Sequence, residues 1–204
     1  MKSQNYEKTL PAQYTRVYRL DAADKRTGLI LSLVSLLPLI PVMAVAVALL
    51  ILLEKPFFFD SLSGFSVLFF SLGLFLYIIL HELVHGAAYK ALTGEKLSFG
   101  FKWSCAFCGV PHIYTYRKTA MIAVIAPFAV FSLLLLGLTA ALLFLDPVFY
   151  LFSALLFAIH LGGCAGDLYL FCLLLFKYKS GKLLMKDTGP EMTLYLPSEG
   201  TIDS

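Results

Sequence analysis

The 204-residue chain is 59% hydrophobic and 14% charged, whereas a soluble globular domain is usually about 45–50% apolar and about 25% charged. This composition excludes a soluble domain, a disordered chain and a nucleic-acid binder with a basic stripe. Four cysteines in this length exclude a disulfide scaffold, and the net charge of +3 is too small to indicate a partner. We therefore expect a polytopic integral membrane protein whose surroundings are the lipid bilayer.

Four apolar runs follow a polar arm over residues 1–26. They extend from Leu29 to Leu53, from Phe65 to Leu92, from Ala120 to Leu145 and from Val148 to Phe176. Each run is long enough to cross roughly 30 Å of hydrocarbon. Pro38 and Pro41 should kink the first run, and Asp146 and Pro147 predict a tight turn. The tail from Lys177 is polar, and the Gly/Pro/Ser-containing stretch at its end is expected to be loose. The predicted fold class is an all-α membrane protein with four transmembrane helices.

Lysine and arginine alternate between the connections of these runs. The N-terminal arm carries 6, the next three connections carry 1, 4 and 0, and the tail carries 4. Because cytoplasmic segments are enriched in these residues, the alternation predicts four crossings with both termini in the cytoplasm.

The connection between the second and third runs is too long for a simple turn. Leu97, Phe99, Phe101 and Trp103 alternate with smaller or polar residues, which is the period of a strand, and residues 113–116 are a second strand-prone stretch. With the dipeptide 108–109 between them as the turn, a short cytoplasmic β-hairpin is predicted within residues 94–118.

The second apolar run contains the sequence His81-Glu82-Leu83-Val84-His85. Residues four apart lie on one face of a helix, so both imidazoles can bind a single metal ion. Glu82 is rotated by about 100° from His81, which suits a group that polarises a metal-bound water. Burying three such groups in lipid by chance would be costly, so the pattern predicts a functional metal site.

A catalytic zinc needs a third protein ligand and an open fourth position. Asp167, in the fourth run, is the best candidate, because its expected depth from the cytoplasmic side matches that of the two histidines. The alternative is a buried ion pair, for which Lys90 is the nearest basic residue in a run. His112 and Glu95, in the connecting loop, are less rigid alternatives as ligands.

Two further residues share the face of Asp167. His160 can act in the second shell of the metal or as a satisfied core histidine, and Cys164 can do the same or pack as a small residue. Cys105 and Cys108 form a lone CxxC, which is weak support for a second zinc site, and a reducing cytosol disfavours a structural disulfide.

These residues resemble the site-2 protease family of intramembrane zinc metalloproteases, and in particular its small bacterial members labelled "putative zincin peptidases". The resemblance rests on the HExxH sequence at 81–85, on Ala126-Pro127 and on Gly166-Asp167-Leu168, and covers roughly residues 65–176. It implies that His81, His85 and Asp167 bind zinc, that Glu82 is the general base, and that the protein lies in a bacterial cell membrane. Two features depart from the pattern. The chain's single Asn is Asn5, outside the core helices, and Asp167 lacks the flanking Asn-Pro of larger members.

The predicted organisation is a cytoplasmic arm (1–26), a transmembrane metalloprotease domain (27–176, core 65–176) and a cytoplasmic tail (177–204). The predicted activity is zinc-dependent hydrolysis of a peptide bond in or beside the transmembrane segment of a membrane-protein or peptide substrate. The alternatives are a non-catalytic metal-binding membrane protein that binds a partner, and a metal transporter. A structural site would not need Glu82, and a transport path would need more polar residues in the extracytoplasmic halves of the helices.

Overall fold

The computed structural model describes residues 5–55, 63–102 and 105–198. The chain divides into two compact units. One, here called the sheet unit, comprises Met1–Ile30, Glu82–Ala126 and Gly166–Ser204, and the other, the helical unit, comprises Leu31–His81 and Pro127–Ala165. Asp60 and Trp103, which belong to two of the predicted connections, lie outside the described residues.

Six α-helices are described, together with a π-helical turn. They are α1 (Lys25–Ser35), α2 (Leu39–Leu52), α3 (Gly64–Thr93), α4 (Arg117–Leu145), α5 (Pro147–Gly163), α6 (Ala165–Cys172) and the π-helical turn Leu173–Lys177. Lys25–Leu52, α3 and α4 are each long and apolar enough to cross a membrane. A fourth crossing results if α5 and Ala165–Lys177, which are bent by 41° at their junction, form one span.

Large apolar side chains project from these helices into the surroundings of the protein. Leu52 is 76% exposed, Phe65 is 70% exposed and Leu133 is 75% exposed. A monomeric soluble protein rarely presents such a continuous apolar surface. The three to four long helices and their exposed side chains are therefore compatible with a membrane protein.

The helical unit confirms two local predictions. Helices α1 and α2 are separated by residues 36–38, ending at Pro38, whereas Pro41, also expected to kink the run, lies within α2. Asp146 is the N-cap of α5, because its carboxylate accepts hydrogen bonds from the backbone N–H groups of Val148 and Phe149, with Pro147 at the first helical position. The turn predicted at this dipeptide is therefore a helix cap.

Close packing within the helical unit depends on one glycine. A Cβ atom at Gly162 would lie 1.9 Å from the carbonyl oxygen of Ser35, so only glycine allows α5 to approach the end of α1 this closely. The buried side chains of this unit include Ala46, Leu50 and Tyr150.

The sheet unit contains a five-stranded antiparallel sheet built largely from the two ends of the chain. Its order is β1 (Tyr6–Glu7), β5 (Tyr114–Tyr116), β6 (Leu184–Asp187), β7 (Glu191–Pro197) and β2 (Tyr14–Asp21). The all-α fold class is therefore wrong. The tail forms β6 and β7, whereas residues 199–204, at the end expected to be loose, lie outside the described residues. Short apolar stretches within these polar segments supply core residues. Leu20, Leu183, Met185 and Leu194 pack with Tyr89 and Leu170 of the helices.

The predicted hairpin exists with the predicted first strand but a different second strand. β3 (Ser98–Lys102) pairs with β4 (Cys105–Gly109), whereas β5 pairs with β1 and β6 in the larger sheet. The dipeptide 108–109, expected at the turn, therefore lies in a strand. Gly109 is tolerated there because its backbone lies against Thr188 and Gly189, where a Cβ atom would be 2.5 Å from the Gly189 nitrogen.

Helix α3 ends at a defined cap in the sheet unit. Gly94 follows it with a φ of 72°, which glycine adopts without strain. The Nζ of Lys90 donates hydrogen bonds to the carbonyl oxygens of Gly94 and Glu95, and the Nδ2 of Asn5 donates to the carbonyl of Leu92. Asn5 thus satisfies a backbone carbonyl in the last turn of this helix.

Candidate metal centre

The HExxH sequence lies within the continuous helix α3. His81 and His85 are one helical turn apart and each is 8% exposed, while Glu82 is half-buried. The helix places the two imidazoles on one face, as the four-residue spacing predicts.

The orientation of His85 is set by a backbone carbonyl of α4. Its Nδ1 lies 2.8 Å from the carbonyl oxygen of Ala123, and a carbonyl can only accept, so Nδ1 carries the proton. Pro127, four residues further along α4, has no N–H with which to bond the Ala123 carbonyl. That carbonyl therefore lacks its usual helical donor and can accept the hydrogen bond from His85. This bond sets the orientation of the His85 ring and leaves Nε2 as the nitrogen with a lone pair.

Asp167 meets His85 at this nitrogen. Asp167 lies in the first turn of α6, is 9% exposed, and has its Oδ2 3.4 Å from the Nε2 of His85. The ammonium group of Lys90, the partner in the alternative ion pair, donates to the two carbonyls at the end of α3.

Two groups of three side chains can hold a metal ion among the described residues. The ligand atoms of His81, His85 and Asp167 all lie within 4.8 Å of one another, and so do those of His81, His160 and Cys164. The first group fits zinc best, because two imidazoles and one carboxylate are a known donor set for catalytic zinc, with a fourth position left for water. The Ala123 contact, which directs the His85 lone pair toward Asp167, supports this choice.

His160 lies among aromatic rings within the helical unit. It is completely buried, and the rings of Phe128, Phe131 and Phe157 lie with centroids 6.0, 6.1 and 6.4 Å from its own. Its Nδ1 lies 2.9 Å from the Tyr77 hydroxyl, and the Sγ of Cys164 lies 3.6 Å from the same nitrogen.

The remaining candidates lie elsewhere. Glu95 accepts a hydrogen bond from the hydroxyl of Tyr6, and His112 is exposed in a turn. Cys108 is buried in β4, and burial, reinforced by the nearby carboxylate of Asp187, raises the pKa of its thiol to about 12. The side chain of Cys105 lies outside the described part of the structure, so a metal site at the CxxC stays a prediction.

Residues that sequence reasoning missed extend the same face of α3. Tyr77 lies one turn before His81, and Tyr89 lies one turn after His85, so a four-residue repeat of polar side chains was the available signal. Tyr89 donates a 2.6 Å hydrogen bond to Asp187 of β6, whose other carboxylate oxygen accepts from the N–H of Gly189. Burial raises the pKa of Asp187 to about 6, although these two donors oppose the rise. The C-terminal sheet is thereby anchored to the helix that carries the HExxH sequence.

A cluster of two histidines and one aspartate with an adjacent glutamate is the arrangement of donors and base expected of a zinc peptidase. The sequence profile of the family described as "Putative zincin peptidase" matches residues 74–183, more than half of the chain, and the protein belongs to that family. The matched segment contains the HExxH sequence and Asp167. Searches of curated proteins and of solved structures gave no match.

Proposed function

We propose that this protein is an intramembrane zinc metalloprotease of the site-2 protease type, which hydrolyses a peptide bond in or beside a transmembrane segment of its substrate. The observation that carries the proposal is the group formed by His81, His85 and Asp167, with Glu82 beside His81. The two histidines lie on a helix long and apolar enough to span a membrane, and Asp167 lies in the bent pair of helices that together can form another span. Family membership supports the zinc-peptidase chemistry.

Each residue of the group has a separate role in the proposed reaction. His81, His85 and Asp167 would hold zinc, which lowers the pKa of a bound water toward about 7 when present. Glu82 would take the proton of the attacking water and deliver it to the leaving amine, as a general base and then a general acid. The Ala123 carbonyl keeps the His85 ring in the tautomer that this role requires.

The direct test combines metal analysis with a cleavage assay on the purified full chain in lipid nanodiscs. We expect one zinc per chain by elemental analysis and hydrolysis of at least one member of a panel of transmembrane peptides. A chelator should abolish hydrolysis, and stoichiometric zinc should restore it. Tightly bound zinc without cleavage across the panel would favour a non-catalytic metal-binding protein instead.

We propose that both termini lie in the cytoplasm, on the strength of the lysine and arginine alternation. In a variant lacking the native cysteines, Asp60→Cys should react with an impermeant thiol reagent applied to intact cells, whereas Ser180→Cys should react only after the cells are opened. The reverse labelling pattern would invert the topology and place the metal centre near the other face of the membrane.

The hairpin offers a binding edge for an unwound substrate. The outer side of β3 has no strand partner among the described residues, and Phe99 packs against Gly86, the residue after His85, where a Cβ atom would lie 2.7 Å from the phenyl Cζ. A substrate strand added there would satisfy its own backbone groups close to the HExxH turn. We propose that β3 binds substrate in this way.

Proline at Phe99 or Phe101 should lower cleavage while zinc content stays normal, because proline removes a backbone N–H from the strand edge. The matched controls are Phe99→Ala and Phe101→Ala, which remove the same side chains but keep the N–H groups. Cleavage rates in nanodiscs and zinc content report the result. If each proline variant cleaves as fast as its alanine control, the hairpin is only a connector.

A further inference from the structure

A chain of hydrogen bonds leads away from His81 inside the helical unit. The Tyr77 hydroxyl lies 3.2 Å from the Nδ1 of His81 and 2.9 Å from the Nδ1 of His160. On the far side of the His160 ring, Nε2 lies 3.1 Å from the Oγ of Ser132. The four side chains therefore form a continuous series from the candidate ligand to a hydroxyl on α4.

Counting protons restricts this chain to two states. The Tyr77 hydroxyl has one hydrogen and faces two imidazole nitrogens, so it donates to one of them and accepts from the other. In the first state His81 Nδ1–H donates to Tyr77, Tyr77 donates to His160 Nδ1, and His160 Nε2–H donates to Ser132. In the second state every donor and acceptor is reversed, and neutral His81 then carries its proton on Nε2.

Only the first state leaves the Nε2 of His81 with a lone pair for a metal. The thiol of Cys164 lies 3.6 Å from the His160 Nδ1 and fits either state, because a thiol can donate or accept a weak hydrogen bond. We propose that Tyr77 and His160 are positioning residues that hold His81 in its metal-binding tautomer. This proposal rests on the assignment of His81 as a zinc ligand in the proposed function.

Burial strengthens these hydrogen bonds enough to affect metal binding. Tyr77 is 8% exposed and His160 is completely buried among phenylalanine rings. Hydrogen bonds in such a low-dielectric setting are strong, and a broken one leaves costly unpaired groups. Loss of the partner that orients a metal-binding histidine typically costs 10–100-fold in metal affinity.

The test measures zinc affinity by chelator competition on the purified full chain, with the melting temperature of the metal-free protein measured alongside. Tyr77→Phe should weaken zinc binding by about 10–100-fold. The matched control is Tyr150→Phe, which removes the hydroxyl of another buried tyrosine of the same unit, one that donates to the carbonyl of Ala46. That control should bind zinc as the wild type does.

Variants of His160 test the direction in which the hydrogen bonds are donated. His160→Phe should weaken zinc binding, while His160→Asn, which keeps an acceptor near the Nδ1 position, should retain more affinity. In the Tyr77→Phe background, His160→Phe should weaken zinc binding little further, because the hydrogen bonds between His160 and His81 are already lost. Equal zinc affinity in Tyr77→Phe and Tyr150→Phe overturns the proposal, as does a loss of melting temperature in Tyr77→Phe without a loss of affinity.

Because these readouts need no substrate, they are independent of hydrolysis. A protein that binds zinc through His81 but cleaves nothing contradicts the protease function and leaves the positioning role intact. If His81→Ala binds zinc as tightly as the wild type, both proposals fail.

Cys164→Ser should bind zinc nearly normally. A strong loss there, with a thiolate-to-cobalt charge-transfer band in the cobalt-substituted protein, would place the ion in the group of His81, His160 and Cys164 and overturn the proposal.

Discussion

Glu82→Gln is expected to abolish peptide hydrolysis while leaving zinc content and fold unchanged. The amide has nearly the same size as the carboxylate but cannot accept a proton from water at neutral pH. A positioned general base typically contributes 10²–10⁴-fold to a rate, so turnover should fall by at least about that factor. Single-turnover cleavage of a transmembrane peptide, with elemental analysis of the same sample, measures both quantities.

Glu95→Gln is the matched control for this change. Glu95 follows the end of the same helix and accepts a hydrogen bond from Tyr6, away from the metal centre, so its variant should cleave at close to the wild-type rate. Undiminished turnover in Glu82→Gln at equal zinc content would contradict the mechanism. Loss of zinc together with activity would mean that Glu82 acts as a ligand rather than as a base.

Removing any one of the three proposed ligands should lower bound zinc strongly. We expect His81→Ala, His85→Ala and Asp167→Ala each to weaken zinc binding by more than the roughly 10–100-fold typical of an orienting residue, because a bond to the ion itself is lost. His112→Ala, which alters an exposed histidine in a turn, should bind zinc as the wild type does. Chelator competition ranks the four variants on one scale.

The Asp167 variant is the most informative of this set. If it kept stoichiometric zinc at wild-type affinity, the third ligand would be another residue, and Glu95, His112 and His160 would be substituted in turn. If it lost zinc while His85→Ala kept it, Asp167 would be a ligand and His85 would only contact that ligand across the 3.4 Å between their side chains.

Part of this protein follows from local sequence alone. The apolar runs predict the long helices because the apolar character of a span is a property of consecutive residues. The four-residue spacing of His81 and His85 puts both imidazoles on one face because helical periodicity is local. Asp146 and Pro147 begin a helix for the same kind of reason.

Sequence reasoning failed where pairing between distant segments decides the structure. The terminal segments are polar on average, so their few apolar residues gave no sign that five strands would form a sheet and bury Met185 and Leu194. In the hairpin, alternation identified β3 correctly but not its partner, because several nearby stretches have strand character. The contacts of Phe107 with Gly100 and Gly189 fit β4 against both β3 and the β6–β7 turn.

The sequence by itself thus determined an apolar helical protein with an HExxH pair on one helix face and Asp167 as its candidate partner. The tertiary structure alone decided which atoms of these residues face one another. The Ala123 carbonyl, which Pro127 cannot bond, selects the tautomer of His85, and Tyr77 links His81 to His160. The physical reason is that helix periodicity acts over a few residues, whereas a tautomer depends on whichever donor or acceptor packing brings within about 3 Å of each ring nitrogen.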